Sequence, residues 1–382
     1  MRKSFCETRM ILIMKPFFSI VMACCDVEPY IREALDSVMK QSFGDWECIC
    51  GIEESKDKTE EIIREIAVSE PRIRFFNHPR SGSCSATRNI GIDMARGEYV
   101  IFLDGDDTIA DGALARIAEK IKARPGADLY PCVIVAYEED SGKREIRENF
   151  PPESSPEELT GPGAIILLDR LWSGHFCPML QICVFRREFL IEHDLKCIYG
   201  LRRQDSEFSP RAIYLAKRVV PLHEPFYLYR LRANSVSSAA KGAGYFHKDW
   251  AIINKSLFAF HAKVSRETGF DRHISGCFAR YWVSRFLYLW FEPKTMRSIP
   301  RERRLETLNI VFSDGFDDFN MLLKHAGRSK RIMGWWARVF VRCPALRWLA
   351  EQFFRCYFGL SDMRNKKSAA HVGDPSRSNG GV

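Results

Sequence analysis

Apolar positions along residues 17–124 fall into two alternating rhythms. Short continuous runs rich in β-branched side chains predict buried strands: Phe17 to Ala23 within Pro16 to Cys25, Trp46 to Ile52, Arg72 to Asn77 and Glu98 to Leu103. Between these runs the apolar positions repeat every three or four residues. Ile31, Ala34, Leu35, Val38 and Met39 share one face of a helix from Asp26 to Gln41, and Ile62, Ile63, Ile66 and Ala67 one face of a helix from Lys58 to Ser69. Ser85 to Ala95, with Gly97 to end it, and Asp111 to Arg124 predict two more helices. Four strand–helix repeats in succession predict an α/β fold, a mainly parallel sheet flanked by helices on both faces. In open sheets of this kind ligands gather beyond the carboxyl ends of the strands, so the polar residues after strands two and four stand where a ligand would bind.

Leu129 to Tyr137 predicts a further strand, and the polar, proline-rich Ser141 to Pro162 a loop or flap. Phe185 to Ala240 carries a mixed pattern. Beyond Tyr245 the chain reads as helical, aromatic and basic; after Asp362 it turns polar and rich in glycine and serine, the composition of a disordered tail. The expected organisation is an amino-terminal arm (1–15), an α/β domain (16–240), a helical region (241–361) and a tail (362–382). Met10 to Met14 is apolar and follows Arg2 and Lys3, but Lys15 and Pro16 cut the run far short of a membrane span.

Composition narrows the partners. The 382 residues, 46% hydrophobic, suffice for one large or two modest cores. A net charge of +8 suits anionic partners: phosphorylated ligands, nucleic acid or an anionic membrane surface. None of the 13 cysteines forms a CxxC pair, which argues against structural zinc. Many lie in apolar runs, where reduced cysteine acts as a small hydrophobe, and a cytoplasmic compartment is expected. No finger, helix-turn-helix or RNP pattern supports nucleic-acid binding.

Phe102-Leu-Asp-Gly-Asp-Asp107 sets three carboxylates directly after a buried strand. Hard divalent cations such as Mg²⁺ bind one or two carboxylates together with substrate phosphates, and Asp104 and Asp106 alternate so that both can address one ion and its diphosphate. Gly105 lets a ligand approach the backbone closely. Asp107 either braces the turn or caps the following helix. By itself the run also fits an ordinary Asp-Gly turn; the strand–helix array before it is what favours a ligand site.

Four stretches in order make a specific match: Phe18-Ser-Ile-Val with Asp26 to Phe43, Ser55-Lys-Asp-Lys-Thr59, Ser85-Ala-Thr-Arg-Asn-Ile-Gly-Ile92, and Gly97-Glu-Tyr-Val-Ile-Phe-Leu-Asp-Gly-Asp-Asp107. Residues 17–111 thereby resemble the inverting family 2 glycosyltransferases of GT-A fold, and the last stretch holds that fold's DxD motif. Gln204-Asp-Ser-Glu-Phe208, Glu224 to Arg230 and Ser235-Val-Ser237 resemble the acceptor-side half of the same domain. The resemblance implies a nucleotide-diphosphate sugar donor, with uridine the expected base, a Mn²⁺ or Mg²⁺ ion at Asp106 and Asp104, and Asp205 as the base that deprotonates the acceptor hydroxyl. It places Ala23, Asp26, Glu53, Arg88, Asp104, Gly105 and Asp106 about the donor. Arg88 is either a positive charge near the nucleotide or a surface salt bridge, and Arg230 either a diphosphate contact or part of a strand packed on the core.

The chain departs from the family at several positions. Ala23 replaces a proline, Cys25-Asp26 a Tyr-Asn pair, Ile52 and Glu53 two aspartates, and Gln204 the glutamate before the base. These changes keep alive an alternative, a catalytically weakened binding or assembly module on the same fold. A nucleotidyltransferase would need a glycine-rich loop after strand one, which Cys24-Cys25-Asp26 does not supply. The resemblance further implies a glycan or lipid-linked acceptor in cell-surface polysaccharide or lipopolysaccharide assembly. In Arg328 to Phe358, seven basic residues interleave with Trp335, Trp336, Phe340, Trp348 and other aromatics against one acid, Glu351, and Pro344 divides the segment. That pattern predicts an amphipathic surface for the inner face of an anionic plasma membrane.

Overall fold

The central strand of the larger unit, β1 (Phe18–Cys24), is apolar along nearly its whole length because it is covered on both faces, as parallel strands in α/β sheets are. In this computed structural model, which describes residues 15–139, 141–148, 156–161, 163–165, 179–231, 247–267, 272–291 and 299–358, it pairs in parallel with β2 (Trp46–Glu53) and β4 (Tyr99–Asp104). The amino-terminal arm before Lys15, His175, Arg232, Ser235 to Ser237 and the tail lie outside the described residues. The chain divides into two units, Met1–Ser238 and Ala239–Val382.

In the first unit a six-stranded sheet runs β3-β2-β1-β4-β9-β6, with β3 at Ile73–His78, β6 at Leu129–Pro131 and β9 at Cys183–Arg186. The first four strands are parallel; β9 and β6 add antiparallel pairs. Between them run α1 (Glu28–Met39), α2 (Thr59–Ser69), α3 (Ser85–Met94) and α4 (Ala113–Ala123). Right-handed crossovers in this strand order put α1 and α2 on one face and α3 on the other, and leave a switch point between β1 and β4. The buried stripe of α1 is Ile31, Ala34, Leu35 and Val38, with Met39 half-buried; α2 buries Ile63 and Ile66 and half-buries Ile62 and Ala67. Each fully buried Ile, Leu or Phe contributes about 1.5–3 kcal/mol. Gly91 lets α3 lie close on β1: a Cβ there would stand 2.2 Å from Val21 Cγ1.

Two expectations need correction. Leu129 to Tyr137 is not one strand. It breaks at Cys132 into β6 and β7 (Val133–Glu138), which serve different sheets, while the Cys132 N–H turns to the Ile182 carbonyl at 2.6 Å. The stretch expected as a loop contains β8 (Arg144–Glu148), hydrogen-bonded to β7 across a turn at Gly142, whose φ is 67°. Its side chains are mostly exposed and charged, as edge strands require, so hydropathy gave no sign of it. With β5 (Thr108–Ile109) and β10 (Pro225–Leu231) these form a second sheet, β5-β10-β7-β8. Two further helices, α5 (Arg187–Glu192) and α6 (Asp205–Leu215), complete the described part of the unit.

The second unit is helical as expected: α7 (His247–Glu267), α8 (Arg272–Phe278) running through a π-turn at Ala279–Val283 into α9 (Ser284–Phe291), α10 (Arg301–Val311), α11 (Asp317–Leu323), α12 (Arg328–Arg342) and, after a 3₁₀ turn at Pro344–Leu346, a helix over 347–358. Aromatic rings fill its core, with Phe291 stacked on Phe354 and Phe312 on Phe316. Glu351, the sole acid of the basic segment, points inward to a bidentate pair with Arg301 and a third bond to buried Arg304. No described helix is long and apolar enough to cross a membrane.

Candidate active site

Strand register brings the first residues together. Ala23 lies beside Asp104 at the switch point, and the Gly105 N–H donates to the Ala23 carbonyl at 2.9 Å. A Cβ on Gly105 would stand 3.1 Å from that carbonyl and from Val27 Cγ2, so glycine permits the close turn. The loops after the first three strands are then fastened to one another. Asp26, held at a left-handed φ of 49°, accepts from the Lys56 N–H at 2.7 Å and from Arg80, which together hold its carboxyl below the usual range. Its own N–H donates to Ser55. Asp57 caps both helices, accepting from the Glu28 and Thr59 N–H groups, while Glu28 accepts from the Lys58 N–H and Thr59 Oγ1 from the Val27 N–H. The Ser55-to-Thr59 stretch is therefore a capping set that fastens the loop after β2 to the start of α1.

Glu53, at the end of β2, accepts from the Ser81 N–H and hydroxyl and from the Gly82 N–H. Burial works against its charge, but these donors outweigh it and hold the carboxyl low. Burial and Glu53 together push the Cys25 thiol up to about 12. Glu53 thus uses an accepting oxygen to shape the loop after β3, at the position where the resemblance has an aspartate.

Asp104 is clamped from two sides. Arg88 Nη2 donates to its Oδ1 at 2.8 Å and Gln181 Nε2 to its Oδ2 at 2.6 Å. Arg88 is no surface salt bridge, since its side chain is 3% exposed. Burial works against the guanidinium's charge; Asp104, with smaller help from Cys84, Cys197 and Asp205, more than reverses this. The Asp104 N–H donates to the Tyr227 hydroxyl at 3.2 Å, and that hydroxyl donates to Asp107 at 2.6 Å. Asp107 also accepts from the Arg230 N–H, so it braces the turn. Burial, with Asp106 and Asp104 nearby, pushes its carboxyl well above the usual range. Arg230 Nε donates to the Asp106 carbonyl, while its Nη groups meet Glu33 and Glu139, so it supports the acidic loop from behind.

Asp205 reaches this cluster through α3. Asn89 exchanges two 2.8 Å bonds with the backbone of Cys197, and the Gly200 N–H donates to Ser85. These bonds tie residues 197–200 to α3, a few positions before Asp205, the first residue of α6, whose carboxyl lies in the field of Arg88 and Asp104. Burial raises the Asp205 carboxyl; Arg88, the Ser206 N–H and Arg203 pull against it. A carboxyl raised in this way is suited to accept a proton. Each polar residue of the 85–91 stretch therefore has a mechanical task.

Among the described residues no group of three or more His, Cys, Asp or Glu side chains could hold a metal ion on its own. The half-buried Asp106 and the clamped Asp104 instead match a hard cation carried mainly by phosphate oxygens with one or two carboxylates. Sequence reasoning missed Gln181, whose signal was a single polar residue inside the apolar run Leu180 to Phe185, and the Tyr227 hydroxyl, because strand alternation accounts for a ring and is silent about its oxygen.

The parallel half of the sheet, with its acidic turn at the end of β4 and the buried carboxyl of Asp205 within the field of Arg88 and Asp104, is the arrangement with which known proteins can be compared. Residues 19–193 match the family model described as Glycosyl transferase family 2. The chain is 31% identical over 226 residues to the uncharacterized glycosyltransferase EpsJ of Bacillus subtilis, covering 59% of this chain and 64% of EpsJ. It is 30% identical over 106 residues, 28% of this chain and 34% of the other, to the GalNAc(5)-diNAcBac-PP-undecaprenol beta-1,3-glucosyltransferase of Campylobacter jejuni. The crystal structure of S. aureus TarS 1–349 in complex with UDP-GlcNAc shares the fold, with a TM-score of 0.62 at 20% identity over 85% of this chain and 88% of that one. The protein spans somewhat less than two thirds of EpsJ. The match to glycosyl transferase family 2 thus takes in residues 19–193, a little under half of the chain.

Proposed function

We propose that the protein is an inverting glycosyltransferase that moves a sugar from a nucleotide-diphosphate sugar, with uridine as the base, onto a glycan or lipid-linked acceptor in cell-surface polysaccharide assembly. The observation that carries this reading is the convergence of Asp104, Arg88 and Asp205, drawn from β4, α3 and α6, at the switch point of the sheet. A Mn²⁺ or Mg²⁺ ion, when bound, would supply positive charge to the departing diphosphate, held by Asp106 with Asp104 alongside. Ala23, Gly105 and the fastened loops of Asp26 and Glu53 offer the nucleotide a preformed rim. Asp205 takes the proton of the acceptor hydroxyl as that oxygen bonds to the anomeric carbon; the bond from that carbon to the diphosphate oxygen breaks, and the nucleoside diphosphate leaves. Attack from the opposite face inverts the configuration in one displacement, and no covalent enzyme intermediate is needed.

The names of the relatives support the substrate class: the Campylobacter enzyme carries an undecaprenol-linked acceptor in its name, and TarS was crystallised with UDP-GlcNAc. The second unit supports an anionic membrane as partner, at the cytoplasmic face. Trp335 is 54% and Trp348 62% exposed, with Ile332, Leu346 and Leu349 also on the surface among exposed Arg331, Arg338, Arg342 and Arg355. Tryptophan and leucine beside arginine suit the headgroup boundary of an anionic bilayer, and Glu351 is turned away from it.

The test is a thermal-shift panel of UDP-, GDP-, CDP- and dTDP-sugars with and without Mn²⁺, followed by transfer assays on Asp106→Ala. One donor should raise the melting temperature by mass action, more so with the ion, and Asp106→Ala should lose ion-dependent transfer with its fold intact. A chain stabilised by no nucleotide sugar would end the reading.

A further inference from the structure

Gln181 sits in the short turn Leu180–Ile182, is 6% exposed, and is flanked by two fully buried aliphatic side chains. Chemistry fixes which way its amide faces. A carboxylate only accepts, so the atom 2.6 Å from Asp104 Oδ2 is the amide nitrogen, and the carbonyl oxygen points away. That oxygen, Oε1, is buried and has no hydrogen-bond partner. Buried polar atoms are nearly always satisfied, and an amide tied at one end with its acceptor left bare at the other is the condition of a group awaiting a ligand.

Its place says which ligand. The turn packs on β4, which ends at Asp104, and on α6, which begins at Asp205. Under the proposed transfer, on which this inference rests, the diphosphate lies at Asp104 and Asp106 and the acceptor oxygen at Asp205. The sugar in transit lies between them, because the attacking and departing oxygens are in line through its anomeric carbon. The bare carbonyl belongs to a side chain held between the two elements that carry those residues. It can only accept, so it selects a substituent that donates, a hydroxyl or an acetamido N–H, and disfavours a position lacking one.

We propose that Gln181 is a specificity-determining residue: it grips Asp104 through its amide nitrogen and reads a hydrogen-bond-donating substituent of the transferred sugar through its carbonyl. One side chain would then couple the position of the diphosphate-side carboxylate to the identity of the sugar, so that the wrong sugar also loosens Asp104.

The experiment compares calorimetric binding of two ligands to the full chain: the nucleotide sugar that most stabilises the wild type in a panel of UDP-, GDP-, CDP- and dTDP-sugars, and the matching nucleoside diphosphate. Gln181→Met, which keeps the length and removes both polar atoms, should weaken the nucleotide sugar roughly 10- to 100-fold, the usual effect of one unmet buried hydrogen bond, and the nucleoside diphosphate less than about threefold. In the wild type, one monodeoxy donor should lose a similar factor, and Gln181→Met should bind that analogue no worse than it binds the parent sugar. Equal weakening of both ligands would overturn the proposal and leave Gln181 as a support for Asp104. Monodeoxy donors that all bind wild type as tightly as the parent would overturn it without recourse to any variant. Failure of the wild type to bind any nucleotide sugar would instead sink the transferase reading itself.

Discussion

Replacing Arg88 by methionine tests how much of the site rests on one buried ion pair. Arg88 is 3% exposed and Asp104 22%, with 2.8 Å between the paired atoms. The guanidinium also lies 5.8 Å from the Phe102 ring centroid, so the side chain contributes packing as well as charge. Breaking a buried pair by removing one partner costs about 3–5 kcal/mol when the other charge is stranded. Asp104 is not stranded: it keeps Gln181 and can turn towards water, while methionine refills much of the arginine's volume. The cost should therefore fall to about 2–3 kcal/mol, below the range for a fully buried pair. For a unit of 238 residues this lowers the melting temperature by about 4–12 °C, at roughly 2–4 °C per kcal/mol. A second consequence is functional. Arg88 is among the groups that hold the Asp205 carboxyl down against its burial, so without it the acid limb of the pH–rate profile should move to higher pH. Arg88→Lys keeps a charge but not the planar fork and should recover the pH limb better than the donor affinity. Scanning calorimetry and a kcat/KM profile read both effects. A methionine variant that melts within a degree of wild type and shows an unmoved acid limb would refute the view that Arg88 organises the site.

Asp205→Asn should abolish transfer yet leave the protein at least as stable at neutral pH: burial raises this carboxyl in the fold, so its contribution to stability is present at acid pH and declines as pH rises through the folded value. Urea unfolding at pH 7 and pH 4 would show the advantage of the variant shrinking towards acid, and a variant less stable than wild type at pH 7 contradicts the sign. In the helical unit, Glu351→Ala strands buried Arg304, while half-exposed Arg301 can turn to water, and should cost about 3–5 kcal/mol in denaturant unfolding; a loss under 1 kcal/mol would mean that Arg304 finds another partner. Trp335→Ser with Trp348→Ser should abolish co-flotation with phosphatidylglycerol vesicles without lowering the melting temperature, since both rings are exposed; undiminished flotation would remove this surface as the membrane contact.

The local pattern of this chain was open to reading because it is set by periodicity. Strands covered on both faces must be apolar throughout, and helices covered on one must repeat at three and four, so β1 to β4 and α1 to α4 fall within a residue or two of where their hydropathy puts them. The acidic turn was equally legible, since Asp104, Gly105 and Asp106 are neighbours in the chain. What hydropathy could not encode is the company each residue keeps. Edge strand β8 is charged because one side faces water, and β6 and β7 part because a one-residue break sends them to different sheets. Arg88 meets Asp104 across 16 positions, Gln181 meets it across 77, and Tyr227 across 123. Pairings over such separations are fixed when strand order and crossover handedness fold the sheet, and a buried charge or amide takes its role from the partner that folding delivers. The sequence determined which elements form and which chemistry stands at their ends; the tertiary structure alone decided that Glu53 braces a loop, that Arg88 clamps an aspartate, and that Gln181 reaches that same aspartate.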